Sequence, residues 1–83
     1  MLGKMADDSS VTLMPVGLLK KYVAGRERLV VPAQDQTVAE LLLEVGIPSA
    51  LVAIVMVQGR QVMKDYVPRA GDVVKLIPLM GGG

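Results

Sequence analysis

Cysteine, histidine, tryptophan and phenylalanine are all missing from this 83-residue chain, and the only aromatic side chains are Tyr22 and Tyr66. Without cysteine there is no disulfide staple, no thiol nucleophile and no thiolate metal site. Without histidine the commonest metal ligand and general base is gone as well. Most enzyme mechanisms are excluded on that inventory, and a non-catalytic protein is expected. The longest apolar run, residues 50–57, is eight residues, far short of the ~20 that a membrane span needs. Residues 1–10 carry Lys4 and then Asp7, Asp8, Ser9 and Ser10 with no apolar signal region, so a cytoplasmic protein is expected. Charge of one sign is also lacking: nine basic residues stand against eight acidic. That balance, with no stacking aromatics, argues against nucleic acid as a partner.

What is present is aliphatic. Hydrophobic residues make up 52% of the sequence, so the core is built from Val, Leu, Ile and Met. A chain this short buries only ~60–65% of its unfolded surface and holds one core. Its total stability is expected to be roughly 4–12 kcal/mol. The four cations Lys20, Lys21, Arg26 and Arg28 read as a solvated hairpin end, or less simply as a surface for an acidic partner.

The pattern divides into a flexible leader over residues 1–9, a domain over 10–79 and a flexible tail over 80–83. Residues 11–16 read as a first strand, with Val11 and Leu13 on one face, Thr12 and Met14 on the other, and Pro15 at its end or on an edge. Residues 17–25 are too long for a tight turn and predict a short helical turn in which Leu18, Leu19 or Tyr22 closes one end of the core. A second strand over 27–31 turns Leu29 and Val31 inward and stops at Pro32. Thr37-Val38-Ala39-Glu40 spells a capping box. The helix of about three turns that follows carries Val38, Leu41, Leu42 and Val45 on one stripe, with Glu40 and Glu44 opposite. Gly46 and Pro48 stop it.

Residues 51–57 are apolar at every position, which predicts a central strand covered or partnered on both faces. Gln58-Gly59 is a tight turn into a short strand over 60–63. An irregular crossing with Tyr66 or Val67 against the core leads through Gly71-Asp72 to a last strand over 73–79. Lys75 marks its outer face; Val74 and Leu76 face inward. One helix covers one face of a four- or five-stranded sheet, so the fold class is α+β. The first and last strands are expected at the centre, side by side and parallel, with the helix in the crossover between them.

Gly81, Gly82 and Gly83 follow this last strand. Glycine carries no Cβ, so three in succession make a thread that enters a narrow pocket any side chain would block; by themselves they read equally well as a frayed linker. From Leu79 to Gly83 the extended reach is ~17 Å at roughly 3.3–3.6 Å per residue.

The order of elements resembles the ubiquitin-like β-grasp. The segment Gly71-Asp72-Val73-Val74-Lys75-Leu76-Ile77-Pro78-Leu79-Met80-Gly81-Gly82-Gly83 resembles the end of the sulfur-carrier family, which includes the small subunit of molybdopterin synthase and the thiamine-pathway carrier. The resemblance covers residues 11–83. Two positions depart from the family's habit: Gly81 stands where Ala or Ser usually precedes the diglycine, and Gln58 where many members have Asn.

The resemblance implies that Gly83, led by Gly82 and Gly81, is adenylated by an E1-like enzyme using ATP. A sulfur donor then converts it to a thiocarboxylate, which is delivered to the large subunit of molybdopterin synthase or another acceptor. No cofactor is stably bound in such a protein; ATP belongs to the activating partner. Met14, Lys75, Ile77, Leu79 and Met80 are the expected partner interface, on the sheet face away from the helix or just beyond it. Two other readings stay open: a ubiquitin-like modifier joined to lysines through the same glycine, and a non-reactive β-grasp interaction domain. The longer first connection and Ile77-Pro78 favour the molybdopterin pathway over thiamine.

Overall fold

A computed structural model describes residues 9–79. The leader through residue 8 and the tail from Met80 onward lie outside them. Five strands form one mixed sheet: β1 (Ser10–Pro15), β2 (Leu29–Pro32), β3 (Val52–Val57), β4 (Arg60–Val62) and β5 (Val73–Pro78), in the spatial order β2-β1-β5-β3-β4. β1 and β5 run parallel, as the crossover requires, with Thr12 opposite Val73 and Pro15 opposite Leu76. The β-grasp arrangement expected from the sequence is the one observed. Ser9, counted above with the leader, is already tied to the sheet, its carbonyl accepting from the N–H of Ala33 at 2.8 Å.

The single α-helix among the described residues, α1 (Val38–Val45), begins where its cap dictates. The Thr37 hydroxyl accepts from the Glu40 N–H at 3.1 Å while the Glu40 carboxylate accepts from the Thr37 N–H at 2.9 Å. Such a cap contributes about 1 kcal/mol. Gly46, at φ 85, closes the other end by donating to Leu42. At eight residues the helix is only a little over two turns, shorter than the expected three, because Gly46 and Pro48 stop it before Ile47. Ile47 still enters the core, in the loop that follows.

The core lies between α1 and the inner face of the sheet. Val11 and Leu13 of β1, Val74 and Leu76 of β5, Val52 and Val55 of β3, and Val38, Leu41 and Leu42 of α1 are all buried. Leu29 and Val31 of β2 are the inward pair and pack against this cluster. The 3-10 helix Gly17–Val23 closes one end of the core, but with Leu19 and Val23; Leu18 is half exposed and Tyr22 packs at the margin.

Every strand differs from expectation at one end or both: β1 runs over Ser10–Pro15 rather than 11–16, and β5 ends at Pro78 rather than 79. β2 starts at Leu29 rather than Glu27 and retains Pro32, which an edge strand accepts because no ladder bond is asked of its missing N–H. Residue 51 belongs to a 3-10 turn, Ser49–Leu51, so β3 begins one residue later. β4 stops at Val62.

The larger correction concerns β3, whose outer face is not covered by any described part of the chain. Ile54 and Met56 remain half exposed there and Ala53 is exposed at a register shift in the pairing with β5. An all-apolar strand therefore signals here an apolar outer surface rather than a second covering layer.

Candidate functional site

Strand alternation divides β5 sharply. Val74 and Leu76 are fully buried, whereas Val73 and Lys75 are exposed and Ile77 half-buried on the opposite face. The register places Met14 of β1 and Met56 of β3 on either side of Lys75, and Ile54 of β3 beside Ile77. These side chains line a shallow hollow of about 440 Å³ on the outer face, which Val73, Gln61 and the Gln58-Gly59 turn complete.

Of the expected interface residues, Met14, Lys75 and Ile77 come together here. Leu79 lies just past the end of β5, 59% exposed, and does not line the hollow. Met80 and the three glycines lie outside the described residues. Thr12, expected on this face, stands half-buried beside Val73 but outside the hollow. Ile54 and Met56 were missed as site residues. The available signal was the uninterrupted apolar run over 51–57, read instead as evidence of burial on both faces.

The tail's exit is defined by its last described bonds. β5 occupies the middle of the sheet, and beyond Pro78 the Leu79 N–H donates to the Leu51 carbonyl at 2.8 Å. On the other side the Val16 N–H donates to the Leu76 carbonyl at 3.0 Å, and Gly17 lies against the ring of Pro78. The last residues of β5 are thus held on both flanks up to the point where the glycine segment departs.

At the opposite end of β5 a buried carboxylate organises the entry to the strand. Asp72, 7% exposed, accepts from the Tyr66 hydroxyl at 2.7 Å and the Arg69 N–H at 2.9 Å, and more weakly from the Gln58 amide at 3.5 Å. It joins the crossing segment, the turn into β5 and the β3–β4 turn. That last turn holds Gln58 at φ 53 and Gly59 at φ 78, both in the left-handed region. Glycine adopts it freely, and Gln58 does so beside its contact with Asp72. The sequence had marked Gly71-Asp72 only as a turn, since a contact with Tyr66 depends on how the crossing packs.

The hydrogen bond to Asp72, aided by partial burial and the nearby negative charge, raises the Tyr66 phenol above its ordinary value of 10.0 against the opposing pull of Arg69 and Arg60. A raised folded-state value favours the protonated form. The resulting stabilisation is complete below pH ~10 and is lost as pH climbs through the raised value. An alkaline absorbance titration should therefore show a tyrosinate component appearing above the usual pH. Tyr66→Phe should delete it, and its persistence in that variant would refute the assignment.

The described residues hold no group of three or more Asp, Glu, His or Cys able to hold a metal ion. None of their helices is long and apolar enough to cross a membrane. No curated protein matches the chain. Among solved structures the fold is similar to the crystal structure of SAMP1 from Haloferax volcanii, with a TM-score of 0.68 and 22% identity over 89% of this chain and 99% of that one. It is similar also to the solution structure of the Haloferax volcanii HVO 2177 protein, with a TM-score of 0.68, 21% identity, and 90% and 87% covered. Urm1 from Trypanosoma brucei, a solution structure, gives a TM-score of 0.67 and 18% identity over 90% of this chain and 96% of that one. These likenesses concern the fold. The sequence itself matches the ThiS family over residues 17–83, from the 3-10 helix through the three glycines, and the chain therefore belongs to that family of ubiquitin-like sulfur carriers.

Proposed function

We propose that this protein carries sulfur on the carboxylate of Gly83 for molybdopterin biosynthesis. Sulfur carriage is supported by the family match, which spans residues 17–83 and so includes the glycine segment; the choice of the molybdopterin pathway rests on the longer first connection and on Ile77-Pro78 before the tail. Members of the family work with E1-like activating enzymes. A glycyl carboxylate oxygen attacks the α-phosphorus of ATP, pyrophosphate leaves, and the mixed anhydride makes the acyl carbon an electrophile. Sulfide-level sulfur, HS⁻, then attacks the acyl carbon and AMP leaves, so the glycine bears a thiocarboxylate; a persulfide donor would form an acyl disulfide instead, which a thiol must cleave by forming a disulfide with the donor's sulfur. The acceptor is the large subunit of molybdopterin synthase, where the thiocarboxylate sulfur forms its new bond to a substrate carbon and water attacks the acyl carbon, breaking the acyl C–S bond and restoring the glycine carboxylate.

In this reading the protein brings no acid, base or nucleophile, in keeping with an inventory that lacks Cys and His. The folded body supplies recognition. The hollow formed by Met14, Ile54, Met56, Lys75 and Ile77 receives the activating enzyme, because it opens along the same strand that leads into the tail. A contiguous apolar surface of this kind is commonly an interaction site.

Intact-mass spectrometry of the protein from cells with a working sulfur-donor pathway tests the reading. The expected species has one oxygen exchanged for sulfur and reverts to carboxylate on delivery to the acceptor. Larger species joined through Gly83 to target lysines, with no thiocarboxylate, would overturn sulfur carriage in favour of protein modification.

A further inference from the structure

The topology gathers the chain's densest positive charge at the end of the sheet where the tail departs. β1 and β5 are parallel and finish together at Pro15 and Pro78. The 3-10 helix Gly17–Val23 follows β1 immediately and packs against β5. β2 returns antiparallel with Leu29 opposite Leu13, so residues 24–28 lie at that end too. Between residues 17 and 28 stand Lys20, Lys21, Arg26 and Arg28 against the single acid Glu27, while residues 29–59 hold three acids and no base.

This charged segment is anchored. Leu19 and Val23 are buried in the core, and the N–H groups of Gly25 and Arg26 donate back to the carbonyls of Lys20 and Val23 at 2.8 and 3.1 Å. Glu27 reaches only Lys20, at 4.0 Å. Lys21, Arg26 and Arg28 are exposed, and among the described residues no carboxylate lies within ion-pair distance of them.

From this we infer that the basic collar around the tail exit docks on an acidic protein surface rimming the entrance of the activating enzyme's pocket. The inference rests on the proposed use of the tail, and the physical reason is the shortness of the tether. Four residues beyond Leu79 span at most ~14 Å. When the glycine carboxylate sits at a buried reaction centre, the exit end of the body is pressed to the pocket mouth, within the screening length of ~8–10 Å. Three unneutralised cations held there strongly disfavour a basic or apolar rim and speed association with an acidic one. The phosphates of the nucleotide lie at the far end of the tether, so they are not what the collar meets.

The test measures ATP-dependent adenylation of the full-length chain by its E1-like enzyme between about 20 mM and about 300 mM salt. Wild type should show a KM rising on the order of tenfold with salt at unchanged kcat. Lys21→Glu with Arg26→Glu should raise KM on the order of tenfold or more at low salt and flatten or invert the salt dependence. Arg60→Glu, at the opposite end of the sheet, changes net charge in the same direction and should leave KM close to wild type. Thermal melts confirm that all variants fold. Equal KM and equal salt dependence for the collar variant and wild type would overturn the docking inference while leaving tail activation intact. An equal effect from Arg60→Glu would overturn it too, by assigning the result to net charge. An enzyme that never adenylates wild type would instead overturn the proposed function and remove the premise of the inference.

Discussion

Deleting Gly83, or adding one residue after it, is expected to abolish adenylation by the activating enzyme while leaving thermal unfolding unchanged. Both changes fall beyond the described residues 9–79, which hold the buried core cluster, so no loss of stability is expected. Activation has everything to lose, because the electrophile must form on one carbon at a set distance from the body. The last described anchor is the bond from Leu79 to Leu51. Shortening the thread by one residue withdraws its end by ~3.3–3.6 Å, more than the tolerance of a reactive geometry. Lengthening it places a new carboxylate, and with any residue but glycine a new side chain, where the pocket was entered by glycine. The measurement is pyrophosphate exchange with the purified pair of proteins. Full activity of the form ending at Gly82 would show that the functional pair is Gly81-Gly82.

The second large effect separates the two faces of β5. Leu76→Ala empties a fully buried position between the sheet and α1. The expected cost is about 2–5 kcal/mol, lost contacts and residual cavity together. Against a total of roughly 4–12 kcal/mol, that leaves a protein near its unfolding threshold. Ile77→Glu lies one residue on but faces the outer hollow beside Ile54. A charge there keeps access to water, so stability should fall by no more than about 1 kcal/mol. Binding should suffer instead, since a carboxylate desolvated against an apolar partner surface finds no compensation. Denaturant unfolding and calorimetric binding to the activating enzyme read both effects. A larger loss of stability for Ile77→Glu than for Leu76→Ala would show that the hollow is a structural part of the fold rather than a docking surface.

Local signals in the sequence were sufficient wherever the physics is local. Thr37 and Glu40 are three residues apart and satisfy each other's backbone partners, so the start of α1 was legible from four residues. The alternation in β1 and β5 assigned Val11, Leu13, Val74 and Leu76 to the core because side chains on a strand must point to opposite faces. The parallel pairing of these strands followed from needing a crossover between them. The want of Cys and His narrowed the chemistry to be expected, and the glycine segment carried the resemblance on which the proposed use of the C-terminal carboxylate rests.

Only tertiary structure decided the rest. Nothing in the apolar run over 51–57 distinguishes a strand buried on both faces from one whose outer face is left apolar; that depends on whether another part of the chain comes to cover it, and among the described residues none does. Asp72 looks like any turn aspartate until the crossing segment brings the Tyr66 hydroxyl to 2.7 Å from it. Lys20, Lys21, Arg26 and Arg28 are a charged stretch in one dimension. They become a collar around the tail exit because β1 and β5, whose paired residues such as Leu13 and Val74 are 61 positions apart in sequence, lie side by side and end together. Periodicity and capping act over a few residues and are written in the chain; the meeting of distant segments is set by the packing of the whole core.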